Sequence, residues 1–187
     1  MLESFKEHPH LSHYLLYGAT FFIFGFQITG LGPIIPYFSD EYGYKETEYS
    51  FLFASRSVGM LVGAVFVKYM QSWSSTPKHH SILISASIFI FVFLCLFSSA
   101  ETPLVQGVYY FLGSIFYGFV EVVPNVCLVA INPADTMEYW LLLVHGMFGV
   151  GALLGPLFVY FFELNAFFVN SLFFLALIPF YCSMKSP

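Results

Sequence analysis

From Tyr14 to Phe38 the chain carries no Asp, Glu, Lys, Arg or His, and the same holds from Ser81 to Ala100 and from Ala166 to Met184. A helix needs roughly 20 apolar residues to cross the hydrocarbon core of a bilayer, so each run is long enough to span one. Only 9% of the 187 residues are charged and 58% are hydrophobic, against about a quarter charged in a soluble domain. Charges this sparse cannot cover a water-facing surface, which excludes a soluble globular domain. Six Lys and Arg and a net charge of -5 exclude a nucleic-acid partner, which needs a basic stripe. Barrel strands would alternate lipid-facing and lumen-facing residues over about ten positions, and these runs do not alternate. The expected fold class is all-α: a polytopic membrane protein whose first partner is the lipid bilayer.

Six apolar segments can be drawn, at about 14–38, 49–70, 81–97, 104–131, 139–162 and 166–184. They predict a polar N-terminal tail over 1–13, a six-helix transmembrane domain over 14–184 and a short C-terminal tail over 185–187. The N-terminal stretch has neither an Arg-rich amphipathic pattern nor a short apolar core with a cleavage site. It reads as an uncleaved tail, followed by an anchoring helix. The tightest connection, Glu163-Leu164-Asn165, predicts an antiparallel hairpin of helices five and six. Lys6, Lys68, Lys78 and Lys185 fall on one side and only Lys45 on the other, beside most of the acidic residues. By the positive-inside rule both termini of this multi-pass chain face the cytoplasm, or the matrix in a mitochondrial inner membrane. Trp73 and Trp140 sit near helix ends, where interfacial aromatics belong. Cys95, Cys127 and Cys182 form no CxxC pair and read as packing residues.

An ionisable residue inside a membrane helix is expensive to bury and is therefore a functional candidate. Arg56, Glu121 and His145 are such residues, and Gln27 and Asn125 add hydrogen-bonding groups. Glu121 and Asn125 are spaced i,i+4, so they project from one helix face. Pro124 between them frees a backbone carbonyl one turn back. That face either lines a cavity, with Glu121 as proton acceptor or solute ligand, or holds helices together. Arg56 either snorkels outward to Glu46 or Glu48 or contacts a buried partner or solute. His145 is either a cavity group or a hydrogen-bonded packing residue.

Gly59 and Gly63, and likewise Gly151 and Gly155 before Pro156, have the spacing that lets another helix approach closely. Gly18, Gly25, Gly30, Gly32, Pro33 and Pro36 predict a broken or strongly bent outer half of helix one. No catalytic constellation and no metal-ligand spacing appears, so neither an enzyme nor a cofactor is expected. His79-His80 reads as a loop pair, and His8, His10 and His13 as a solvated tail.

At these residues the chain resembles the N-terminal six-helix half of a major facilitator superfamily transporter. The similarity leans toward the sodium-dependent glucose transporters and fucose–proton symporters. It is carried by Phe24-Gly25-Phe26 with Pro33-Ile-Ile-Pro36 in helix one, and by Arg56-Ser-Val-Gly59-x3-Gly63 in helix two. Gly118-Phe-x-Glu121-x3-Asn125 in helix four and Phe148-Gly149-x-Gly151-Ala-x2-Gly155-Pro156 in helix five complete it. The resemblance implies sugar transport driven by a cation, with Glu121 as the coupling carboxylate and Asn125, Gln27 and His145 as solute contacts. The superfamily's Gly-x3-Asp-Arg-x-Gly-Arg-Arg loop signature is reduced here to Gly63-Ala-Val-Phe-Val67-Lys68. Such transporters rock two six-helix halves around a site at their interface. A second half, or other membrane subunits, is therefore expected over the cavity face. Two functions follow: a transporter-derived accessory subunit of a larger membrane complex, or one half of a sugar transporter coupled to protons or sodium.

Overall fold

The structure, a computed structural model, describes residues 10–73 and 79–186, with the side chains of 71–73, 134 and 135 left aside. Lys6, His8, Lys78 and the side chain of Trp73 therefore lie outside the described residues. The described chain is almost entirely helical: α1 (Leu11–Tyr42), α2 (Phe51–Trp73), α3 (His79–Ser99), α4 (Pro103–Ile131), α5 (Ala134–Phe162) and α6 (Ala166–Ser183). Short 3-10 turns at Glu46–Tyr49 and Glu163–Asn165 connect them. Five stretches are long and apolar enough to cross a membrane, and the last of these, Thr136–Ser183, contains both α5 and α6.

Local chemistry sets the ends. Gly43, at φ 73°, caps α1 in the left-handed region, and its N–H reaches the Ser39 carbonyl at 2.9 Å. A residue with a Cβ is disfavoured there. Pro103 opens α4, where its missing N–H costs no helix bond. Of the expected break or bend in helix one, the break is absent: α1 runs as one helix through Pro33 and Pro36. Each proline removes one donor, and a neighbouring helix can compensate the freed carbonyl in a packed bundle. Pro124, Pro156 and Pro179 are likewise carried inside helices.

The helices pack in two main pairs, α1 with α5 and α2 with α4, while α3 bridges α4 and α6. This corrects the expected hairpin. The turn at Glu163–Asn165 is tight, but α5 leaves it to lie on α1 and α6 leaves it to lie on α3. The reason is steric. A side chain at Gly151 or Gly155 would strike the Phe22 or Phe26 carbonyl of α1, and one at Gly25 would strike the Phe148 carbonyl of α5. Only bare glycine edges allow two backbones so close.

The α2–α4 pair repeats this interlock residue for residue. Gly63 meets the Ile115 carbonyl as Gly151 meets that of Phe22, and Gly118 meets Met60 and Ala64 as Gly25 meets Phe148 and Ala152. Gly59 packs on Phe111 and Ser114. The α1–α5 and α2–α4 contacts are thus two copies of one packing unit.

One further expectation is corrected. His79 and His80 are not in a loop: they begin α3 and are buried at 6% and 4% exposure. His80 Nδ1 contacts the Met184 carbonyl at 3.2 Å and Nε2 the Tyr17 hydroxyl at 2.9 Å, so its polar atoms are satisfied without water. Trp140, near the start of α5, is buried and stacked on Tyr14 with ring centroids 3.7 Å apart. Tyr14 in turn donates to Asn132 Oδ1 at 2.6 Å. The three cysteines are free, Cys127 buried and Cys182 exposed.

Candidate functional site

Between the two helix pairs lies an open cavity of about 510 Å³. Phe21, Phe24 and Ile28 of α1, Arg56, Ser57 and Met60 of α2, Glu121 of α4, and His145 and Phe148 of α5 form its walls. In the interlock's register Met60 corresponds to Phe148, Ser57 to His145 and Ile28 to Glu121. All six line the cavity, so it sits on the axis that relates the two packing units.

Arg56, Glu121 and His145 come together here from three helices. Arg56 turns inward rather than toward the acidic loop. Its Nη1 donates to the Ile28 carbonyl of α1 at 2.7 Å, and its guanidinium lies 5.6 Å from the Phe53 ring centroid. Glu48 instead caps its own 3-10 turn by accepting from the Lys45 N–H at 3.1 Å. Glu121 is exposed on the cavity side of α4. His145 is exposed as well, with its ring 4.9 Å from that of Phe21. Its Nδ1 lies 2.8 Å from the Leu141 carbonyl, which can only accept. Nδ1 therefore carries a proton, and Nε2 is the nitrogen left to accept from a donor in the cavity whenever the ring holds one proton.

Gln27 and Asn125 do not join the cavity walls. Asn125 turns back on its own helix, and its Nδ2 donates to the Glu121 backbone carbonyl at 2.7 Å. This braces the turn beside Pro124, which has no N–H to give. Gln27 is buried in the core, where its Oε1 accepts from Asn170 Nδ2 of α6. Each amide thus spends one of its polar atoms on a near neighbour, backbone for Asn125 and another amide for Gln27.

A fixed cation, a carboxylate and an imidazole on three walls, with phenylalanine rings between them, can hold a small polar solute and exchange protons with it. Ser57 was not among the expected residues, although it follows Arg56 directly. Neither were Tyr110, Ser114 and Tyr117, whose hydroxyls recur along one face of α4. That spacing was the available signal. Among the described residues, no group of His, Cys, Asp or Glu is arranged to hold a metal.

The Major Facilitator Superfamily sequence model matches residues 17–184. The chain belongs to the Major Facilitator Superfamily. Members of this superfamily are membrane transporters, not enzymes, and the nested inverted repeat of three helices is their architecture. The interlock shared by α1–α5 and α2–α4 is that repeat seen at the level of single residues. Among curated protein sequences none matches the chain significantly.

Proposed function

We propose that this major facilitator chain supplies six membrane crossings forming one half of a secondary transporter. In this reading Glu121 is the group that couples solute movement to a proton or sodium ion. One observation carries the reading: Arg56, Glu121 and His145, from α2, α4 and α5, meet at a cavity on the repeat axis. Ionisable groups at mid-bundle are costly unless a solute or a water-filled path needs them. A sugar or similar polar solute suits the walls, because hydroxyl donors would find Glu121 and His145 Nε2 as acceptors while the rings cover its apolar face. Helices 134–162 and 166–183 each cross once, which returns the chain to the Lys-rich side where it began. The cavity is open, and Ser57, Glu121 and His145 on its walls are exposed. We assign a second six-helix bundle to the open side of the cavity, since lipid would leave the polar groups unpartnered.

An accessory role in a larger membrane assembly is the second reading. It is favoured by Lys68 standing alone where the family carries a charged loop signature, and by Gln27 and Asn125 facing away from the cavity. Reconstituted uptake of labelled sugars, lost in Glu121→Gln, supports transport. Purification from the native membrane with large-complex subunits in fixed stoichiometry, and no uptake, supports the accessory role.

A further inference from the structure

Away from Glu121 and His145, α5 and α6 leave an open wedge over α1. α5 lies on α1 and α6 on α3, so the two helices part as they leave the turn at Glu163–Asn165. Nearest that turn, an apolar cavity of about 410 Å³ touches both, through Phe158 of α5 and Asn170 and Phe173 of α6. Farther from it the wedge holds two channels. One, of about 480 Å³, runs along α5 past Trp140, Leu143 and Met147. The other, of about 390 Å³, runs along α6 past Leu177, Phe180 and Met184. Ala19 of α1 lines all three, while Leu15, 66% exposed, lines both channels and divides them. Among the described residues no charged side chain lines the wedge. Asn170, the one amide on its walls, gives its Nδ2 to Gln27 in the core.

The other packing unit closes the same place with its own side chains. In the interlock's register Leu112 of α4 stands where α1 has Ala19. Phe89 of α3 stacks on Phe116 of α4 with centroids 4.6 Å apart, and Phe66 of α2 stacks on Phe119 at 6.1 Å. The wedge is also remote from the ionisable cavity. At about 100° per residue, Leu15, Ala19, Phe22 and Phe26 point to the side of α1 opposite Phe21, Phe24 and Ile28. A second bundle laid over the cavity therefore leaves the wedge facing lipid.

Length and charge select the occupant. Ser12 to Phe26 spans about 21 Å at 1.5 Å per residue, and one leaflet with its headgroups is about 20–22 Å thick. Ser12 and Ser183 line the wide end. His13 Nε2 lies 3.1 Å from the Lys185 carbonyl, which brings an exposed lysine to that end. We propose that the wedge binds one diacyl phospholipid with an anionic headgroup, an acyl chain on each side of Leu15 and the phosphate beside Lys185. Two apolar channels joined at Ala19 suit two chains of one molecule. An anionic headgroup gains from Lys185, whereas a zwitterionic one carries its own cation. The lipid takes the place of the packing that Leu112 and the phenylalanine rings supply over α4, and its occupancy does not depend on transport.

Trp140 reports on the wedge because it lines the α5 channel, and Trp73→Phe leaves it the chain's one tryptophan. This parent is purified in detergent and titrated with phosphatidylglycerol, phosphatidylcholine or single-chain lysophosphatidylglycerol, each brominated on its acyl chains. Bromine quenches indole fluorescence at contact. Quenching by phosphatidylglycerol is expected to saturate, with a midpoint at about fivefold lower mole fraction than for phosphatidylcholine, the ratio that one lysine's attraction gives. The single-chain lipid should need a higher fraction than its diacyl counterpart. Ala19→Leu, which installs the counterpart's side chain, removes the saturable part, while Leu153→Ala, 75% exposed on the opposite side of α5, leaves it. Lys185→Gln keeps the quenching and brings the two diacyl lipids to one midpoint. Quenching that rises linearly for every lipid and ignores Ala19→Leu is contact with bulk lipid and overturns the proposal. Equal midpoints for the two diacyl lipids in the parent overturn it as well. Where Ala19→Leu fails to fold, Lys185→Gln decides: a fivefold preference that survives the loss of the lysine places the headgroup elsewhere and sinks the site.

Discussion

Where Gly63 of α2 meets the Ile115 carbonyl of α4, Gly151 of α5 meets the Phe22 carbonyl of α1, and Gly118 and Gly25 return the contact from the opposite helix. The two pairs share a frame but not their equipment. Facing the cavity, the α1–α5 pair has Ile28 and His145 where the α2–α4 pair has Glu121 and Ser57. Arg56 of α2 corresponds to Val144 of α5, which is buried at 1%. A frame held by backbone approach constrains only the residues at the crossing. Positions one turn away are free to diverge, and all three ionisable groups of the cavity are found at such positions.

The frame itself is the place to break the comparison hardest. Gly63→Val and Gly151→Val would each drive a branched side chain into a carbonyl, and overpacking of this kind costs about 3 kcal/mol or more. Because the two crossings are equivalent, the losses should match. Gly149→Ala is the control: a Cβ there meets nothing within 4 Å, and helix propensity alone predicts a gain of about 0.5–1 kcal/mol. Thermal unfolding in detergent measures all three, and a mild Gly151→Val beside a severe Gly63→Val would show that the pairs are not equivalent.

Glu121→Gln breaks the chemistry and leaves the frame. The side chain is exposed to the cavity and makes no side-chain hydrogen bond that packing relies on, so stability should change by less than about 0.5 kcal/mol. Coupled uptake should be lost. Retained uptake at parental rate would remove Glu121 from the mechanism. His145→Gln is expected to weaken uptake less, because an amide still offers an acceptor where Nε2 stood.

How far this division was legible in the sequence follows from its physics. The helices were legible because charge-free runs of bilayer length have few other folds: 81–97 became His79–Ser99, and 104–131 became Pro103–Ile131. Arg56, Glu121 and His145 stood out as candidates because an ionisable group in such a run is costly, but that they would share one cavity was not visible. The glycine edges were visible too, but not which carbonyls they would meet, so the partner of α5 was misassigned to α6. Gln27 and Asn125 stand off the cavity wall, since spacing cannot choose between a cavity and the next turn. The repeat was hidden because counterparts such as Ile28 and Glu121 share a place and no chemistry.

Glu163 offers a gain instead of a loss. It sits at φ 47° and ψ -129° between α5 and α6, a region that suits glycine and strains a residue with a Cβ by about 1–3 kcal/mol. Glu163→Gly should raise the unfolding midpoint, offset in part by the greater freedom of glycine in the unfolded chain. An unchanged or lower midpoint would mean that the turn is held by more than its backbone.

The finest difference between the pairs is one hydroxyl. Thr29 Oγ1 of α1 lies 2.9 Å from the Ala152 carbonyl of α5 and 3.1 Å from the Gly25 carbonyl of its own helix. Gly155 leaves the room for it, since a Cβ there would strike Thr29 Oγ1. At the counterpart positions α4 and α2 have Val122 and Val67, so the second pair closes with methyl groups where the first closes with a hydrogen bond. Thr29→Val converts the first closure into the second at nearly constant volume. Interhelical hydrogen bonds in membrane bundles average about 0.6 kcal/mol, and a loss of that size is the expected outcome. A loss several times larger would make the hydroxyl, and not the glycine edge, the reason α5 lies on α1.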